Sequence, residues 1–127
     1  MAVEERATGP VLVSRRDRVV TLTLHDPPVN PVARETVAAL EEVTAALADD
    51  DSVRAVIVTG SGGNFSAGAN IKQFADIGTV ETEEGYTRRR VAMVNALERL
   101  GKPVVAAVRG HCLSVTLAAG SISDRAC

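Results

Sequence analysis

The segment Gly60-Ser61-Gly62-Gly63-Asn64-Phe65-Ser66-Ala67-Gly68-Ala69-Asn70-Ile71-Lys72 constrains this chain more than any other. It leaves an apolar run, Val53 to Thr59, that reads as a buried strand, and it enters Ile71 to Asp76, which reads as a short helix. Small residues fill the space between them. Small side chains let a ligand approach the main chain, and a helix start offers unpaired N–H groups to an oxyanion or a phosphate. An ordinary strand-to-helix loop has the same composition, so the segment alone leaves both readings open.

The flanks point to an α/β chain. Val20, Leu22 and Leu24 alternate with Thr21 and Thr23, as in a strand with one buried face. With Val11-Leu12-Val13 across the polar Ser14 to Arg18, they predict a β-hairpin. Asp26-Pro27-Pro28 ends it, because two prolines cannot serve a central ladder. Asn30 then reads as a helix N-cap with Pro31 at the first helical position. Ala33, Val37, Leu40, Val43 and Leu47 form the helical stripe that follows. Asp49-Asp50-Asp51 closes this helix, as a solvated connection or, less economically, a metal site. A second helix is expected from Glu83 to Leu100, with Val91, Val94, Leu97 and Leu100 inward and Gly101-Lys102-Pro103 as its stop. Arg88-Arg89-Arg90 on that helix is a solvated face or a phosphate contact. Val104 to Val108 reads as another buried strand. Residues 1–10 are expected to be a flexible N-terminus and 11–127 one partial domain.

Aromatic residues make up only 2% of the chain against 46% hydrophobic residues, so the core must rely on small aliphatic side chains. A net charge of −2 makes no electrostatic case for nucleic acid or an anionic membrane surface. No run approaches the ~18 apolar residues of a membrane helix, and Met1 to Pro10 does not read as a signal peptide. Cys112 and Cys127 have no metal-ligand spacing with His25 or His111, so no metal site is expected. The thiols are expected to be reduced, in a cytoplasmic protein. Two motif readings fail. After Gly60 and Gly62, Phe65 stands where a dinucleotide loop needs its third glycine. Ser114 with His111 lacks the GxSxG elbow of a serine hydrolase.

The loop and its surroundings resemble the enoyl-CoA hydratase/isomerase, or crotonase, superfamily. Val53 to Gly60 resembles its strand ending in V-x-T-G. Asn64 to Lys72 is similar to F-S-A-G-A-D-I-K, with Asn70 in place of aspartate. Lys102 to Gly110 is similar to K-P-V-[IV]-A-A-V-x-G, and Pro28 to Val32 to P-x-N-[AP]-[LV]. The likeness runs from Val11 to about Leu113 and covers the first half of a family domain. It is closest around Gly62 to Ala69 to the hydratase region of multifunctional β-oxidation enzymes. The fold this implies is a crotonase-like ββα spiral, N-terminal half only.

The resemblance also implies a chemistry. Family substrates are acyl-CoA thioesters, whose thioester oxygen gains charge as an enolate forms, and two backbone N–H groups hold it. By resemblance the first donor is the N–H of Ala69, and Val115 stands at the second oxyanion position. Val32, Ala67, Gly68, Ala69, Ile71 and Lys72 would line the substrate, with Lys72 near the CoA phosphates. Coenzyme A enters as part of the substrate, and no separate cofactor is implied. After Leu113 the pattern departs: Ser114-Val115-Thr116-Leu117-Ala118-Ala119-Gly120 stands where the family has G-G-G-x-E-L-A, and no glutamate follows Glu98. The expectation is therefore a family member acting on or binding acyl-CoA, impaired or inactive as this chain. The alternatives are a non-catalytic acyl-CoA binder, an assembly piece, or a truncated or frameshifted fragment. Half a domain would leave apolar surface uncovered, so a homo-oligomer is expected.

Overall fold

The computed structural model describes residues 4–68 and 80–112. Among them, strands β1 (Glu4–Thr8), β2 (Val11–Arg16), β3 (Val19–Leu24), β4 (Ala55–Gly60) and β5 (Val104–Ala106) form one mixed sheet in sequence order. The first three strands pair antiparallel. Helix α1 (Arg34–Ala48) carries the chain to β4, which runs parallel to β3, and α2 (Val80–Glu98) precedes β5, which runs parallel to β4.

The expected hairpin is present as β2 and β3, with Val11 facing Leu24 and Arg16 facing Val19. Val11, Val13, Val20, Leu22 and Leu24 are all buried, and β4 continues the same face with Val56 and Val58. Helix α1 covers that face with Val37, Leu40, Val43 and Leu47. The period-2 and period-3.6 stripes of the sequence thus meet in one core.

Several expectations are corrected. Strand β1 lies inside the segment expected to be flexible. Its side chains are almost all exposed, so it is held by its ladder to β2 and not by apolar burial, and periodicity gave no sign of it. Asn30 does not cap α1: the helix begins at Arg34 with Ala33 as its N-cap residue. Asn30 instead takes a left-handed backbone, at φ +50°. On α2 the inward residues are Tyr86, Met93, Val94 and Leu97, with Leu100 just beyond, whereas Val91 is 46% exposed. A stripe through 86, 90, 93 and 97 follows i+3/i+4 spacing better than one started at Val91. Strand β5 is half-exposed, with Val105 54% accessible, because it is the last strand of the sheet among the described residues. Cys112 is disulfide-bonded, where a reduced thiol was expected. The helix expected at Ile71 to Asp76 falls outside the described residues.

The acidic turn after α1 is a structural connection. Asp50 accepts from the Ser52 N–H at 3.0 Å and from its hydroxyl, and pairs with Arg15 at 3.4 Å. The Ser52 hydroxyl and N–H, aided by the charges of Arg15 and Lys102, hold the Asp50 carboxyl below its ordinary value. The Lys102 ammonium donates to the carbonyls of Leu47 and Asp50, so it closes the C-terminal end of α1. Among the described residues no cluster of His, Cys, Asp and Glu could hold a metal ion. Nor is any described helix long and apolar enough to cross a membrane. Of the three arginines on α2, Arg89 pairs with Glu41 and Arg90 lies over the Tyr86 ring, 5.0 Å from its centroid.

Candidate functional site

Parallel pairing sets where the site forms. Leu24 stands opposite Gly60, so β3 and β4 end at the same level and their chains leave the sheet side by side. The segments 25–32 and 61–68 therefore run together beyond the carboxyl ends of two parallel strands, the place where open α/β sheets bind ligands. The chain leaving β5 joins them: the N–H of Phe65 donates to the Arg109 carbonyl at 2.7 Å and that of Ser66 to the His111 carbonyl at 2.9 Å.

Asn30 ties the first two segments together. It is 1% exposed, and its amide nitrogen donates to the carbonyls of Ser61 at 2.9 Å and Asn64 at 3.0 Å. Its side-chain oxygen accepts from the Asp26 N–H at 2.9 Å. Both ends of the buried amide are thus satisfied by main chain, which is what makes its burial tolerable. A left-handed backbone is open to asparagine where most residues would be strained. Asn64 adds a second tie, donating to the Pro28 carbonyl at 3.1 Å and accepting from the His111 N–H at 3.0 Å.

Ser66, fully buried, is the next link. Its hydroxyl donates to the Asn30 carbonyl at 2.7 Å and accepts from the Gly68 N–H at 3.0 Å. The Ala67 N–H donates to the Val29 carbonyl at 2.7 Å, and the Val32 N–H to the Gly68 carbonyl at 2.7 Å. Gly68 sits at φ +89°, a backbone that a side chain would strain. From α2, the Tyr86 hydroxyl donates to the Val32 carbonyl at 2.8 Å. Burial pushes the Tyr86 phenol above its ordinary value, so it remains a neutral donor.

Of the residues expected to line a substrate, the structure brings Val32, Ala67 and Gly68 together; Ala69, Ile71, Lys72 and Val115 lie outside the described residues. Sequence reasoning missed Asn30, Ser66 and Tyr86 as members of this site. A lone tyrosine in a chain with two phenylalanines and no tryptophan was one available signal. Asn30 between Val29 and Pro31 was another, since a residue before proline is pushed out of the helical region. What the arrangement shows among the described residues is a stretch of main chain tied by hydrogen bonds to the segments leaving β3 and β5 and to α2.

Known proteins share this architecture. A family model described as enoyl-CoA hydratase/isomerase matches residues 14–125. A probable enoyl-CoA hydratase of Bacillus subtilis (strain 168) is 33% identical over 95 residues, covering 75% of this chain and 37% of that protein. The peroxisomal fatty acid beta-oxidation multifunctional protein of Oryza sativa subsp. japonica is 34% identical over 98 residues, or 76% of this chain and 14% of its own length. Among solved structures, Pseudomonas aeruginosa AtuE superposes with a TM-score of 0.86 at 29% identity, covering 91% of this chain and 46% of that one. An enoyl-CoA hydratase of Mycobacterium smegmatis gives 0.75 at 39% identity, covering 78% and 39%. The chain thus spans less than half the length of these relatives. The parallel β3–β4 pair, the loop beyond it and the matched residues agree on a crotonase fold, and the chain belongs to the enoyl-CoA hydratase/isomerase family.

Proposed function

We propose that this chain binds acyl-CoA thioesters through the main chain at Ala67-Gly68-Ala69, and that as these 127 residues it turns them over poorly or not at all. One observation carries the binding half: every N–H from Phe65 to Gly68 already has an acceptor within the protein, on Arg109, His111, Val29 and Ser66. None of the four is left to hold a substrate oxygen. The next N–H, that of Ala69, is the first oxyanion donor in this reading. The Gly68 carbonyl just before it is held in place by the Val32 N–H at 2.7 Å. Lys72 supplies a cation for the CoA phosphates, and coenzyme A arrives with the substrate.

The catalytic half rests on residue types. Val115 and Ala118 stand, by family resemblance, where glycine and glutamate would be. Loss of a general acid–base group typically slows a reaction by about 10²–10⁴-fold. This favours, as a second reading, a binder of acyl-CoA that works without catalysis. The reading includes self-association, since β5 has a sheet partner on one side only among the described residues.

Calorimetry with acetyl-CoA and loss of crotonyl-CoA absorbance test the two halves. The full chain should bind acetyl-CoA, Ala69→Pro should abolish binding by removing the N–H, and exposed Arg16→Ala should leave it intact. Hydration of crotonyl-CoA should stay near background. Equal absence of binding in all three proteins would remove the binding half; robust turnover by the unmodified chain would remove the other.

A further inference from the structure

We propose that Ser66 and Asn30 are positioning residues for thioester recognition: together they fix the two peptide planes on either side of Gly68. This rests on the reading that the thioester oxygen is held by main chain at this loop.

Gly68 is the last glycine of this loop, and it adopts φ +89°, a conformation that glycine reaches without strain. A glycine left to itself would sample several peptide orientations, and a donor N–H beyond it would point in several directions. Gly68 is held at both ends. Its N–H donates to the Ser66 hydroxyl at 3.0 Å, which fixes the preceding peptide plane. Its carbonyl accepts from Val32 at 2.7 Å, which fixes the following one.

The direction of the serine proton is decided by its partners. The Asn30 carbonyl, 2.7 Å away, can only accept, so the hydroxyl hydrogen goes there and a lone pair is left for the Gly68 N–H. That carbonyl is in place because the Asn30 side chain is anchored to Ser61, Asn64 and Asp26. Ser66 is fully buried and Asn30 1% exposed. Buried polar side chains that cross-link the segments 26–30 and 61–68 in this way supply the kind of support that preorganised recognition of an oxygen requires.

The test compares two ligands of the full chain, acetyl-CoA and S-ethyl-CoA, a thioether that lacks the carbonyl oxygen. The unsubstituted chain should prefer the thioester by roughly fivefold, the size of one net hydrogen bond. Its bound carbonyl stretch should fall below that of free acetyl-CoA in isotope-edited infrared spectra. Ser66→Ala removes both hydroxyl bonds, and Asn30→Gly keeps the left-handed backbone while removing the amide. Each should bring the preference close to unity and return the carbonyl band to its free position, with S-ethyl-CoA affinity unchanged. A merely structural role would weaken both ligands alike, and that result would overturn the proposal. So would either folded variant that keeps the full preference. An unsubstituted chain with no thioester preference would instead sink the underlying reading, and this proposal with it. Should both variants fail to fold, amide exchange in the unsubstituted chain decides: slow exchange at both Val32 and Gly68 supports the pinning, and free exchange at either refutes it.

Discussion

Gly60→Ala should be among the most damaging single-methyl additions in this chain, and Gly63→Ala a mild one. Gly60 closes β4 directly beneath the loop. A Cβ there would lie 2.1 Å from the Asn64 carbonyl oxygen, 2.4 Å from that of Phe65 and 2.8 Å from the Phe65 Cα. All three atoms are backbone, so no side chain can swing aside. The Asn64 carbonyl is itself held by the buried Asn30 amide at 3.0 Å. Overpacking of this kind costs about 1–3 kcal/mol, and breaking the Asn30 bond to make room adds about 1 kcal/mol. The two together put Gly60→Ala at roughly 2–4 kcal/mol, a large part of the ~5–15 kcal/mol that holds a domain folded.

Gly63 supplies the contrast. At φ +84° a side chain is strained, but a Cβ there would meet nothing within 4 Å. Its substitution should cost only the left-handed penalty of about 1–2 kcal/mol. Urea unfolding followed by circular dichroism separates the two. With a slope of ~1.5 kcal/mol/M, Gly60→Ala should lower the midpoint by ~2 M and Gly63→Ala by ~1 M. Equal midpoints would show that the loop slides freely over β4, and the rigid main-chain site argued above would lose its foundation.

Two further outcomes are expected. Tyr86→Phe deletes the hydroxyl that donates to Val32 at 2.8 Å and should cost about 1–2 kcal/mol, read as a melting temperature lower by ~3–6 °C; an unchanged value would mean that water replaces the hydroxyl. Among the described residues β5 has a sheet partner on one side only and Val105 is exposed, so sedimentation at micromolar concentration should show species larger than a monomer, and a single compact monomer would contradict this.

Where a side chain's own chemistry decides its place, the fold was legible. The Val20/Leu22/Leu24 alternation and the Val37/Leu40/Val43/Leu47 stripe each state a period and a face, and both faces are buried as read. Legibility failed where main chain takes over. Strand β1 is held by ladder bonds that any sequence can make, so Glu4–Thr8, exposed and charged, left no pattern to find. The reading of Val91 as inward failed for a smaller reason: the helix packs against α1, and Tyr86, buried on its inward face, was not counted among the apolar residues.

The candidate site is the extreme case of the second kind. Its proposed donor is an N–H, a group present at every residue but proline, so no residue type announces it. What betrays it is exclusion. Ser66 and Asn30 are polar residues buried to no evident gain in packing; Ser66 takes the Gly68 N–H, and main-chain carbonyls take those of Phe65, Ser66 and Ala67. Sequence motifs located the loop, since small residues are needed around a main-chain site. The proposal that the loop presents the peptide beyond Gly68 rests on the hydrogen-bond network and not on a residue type.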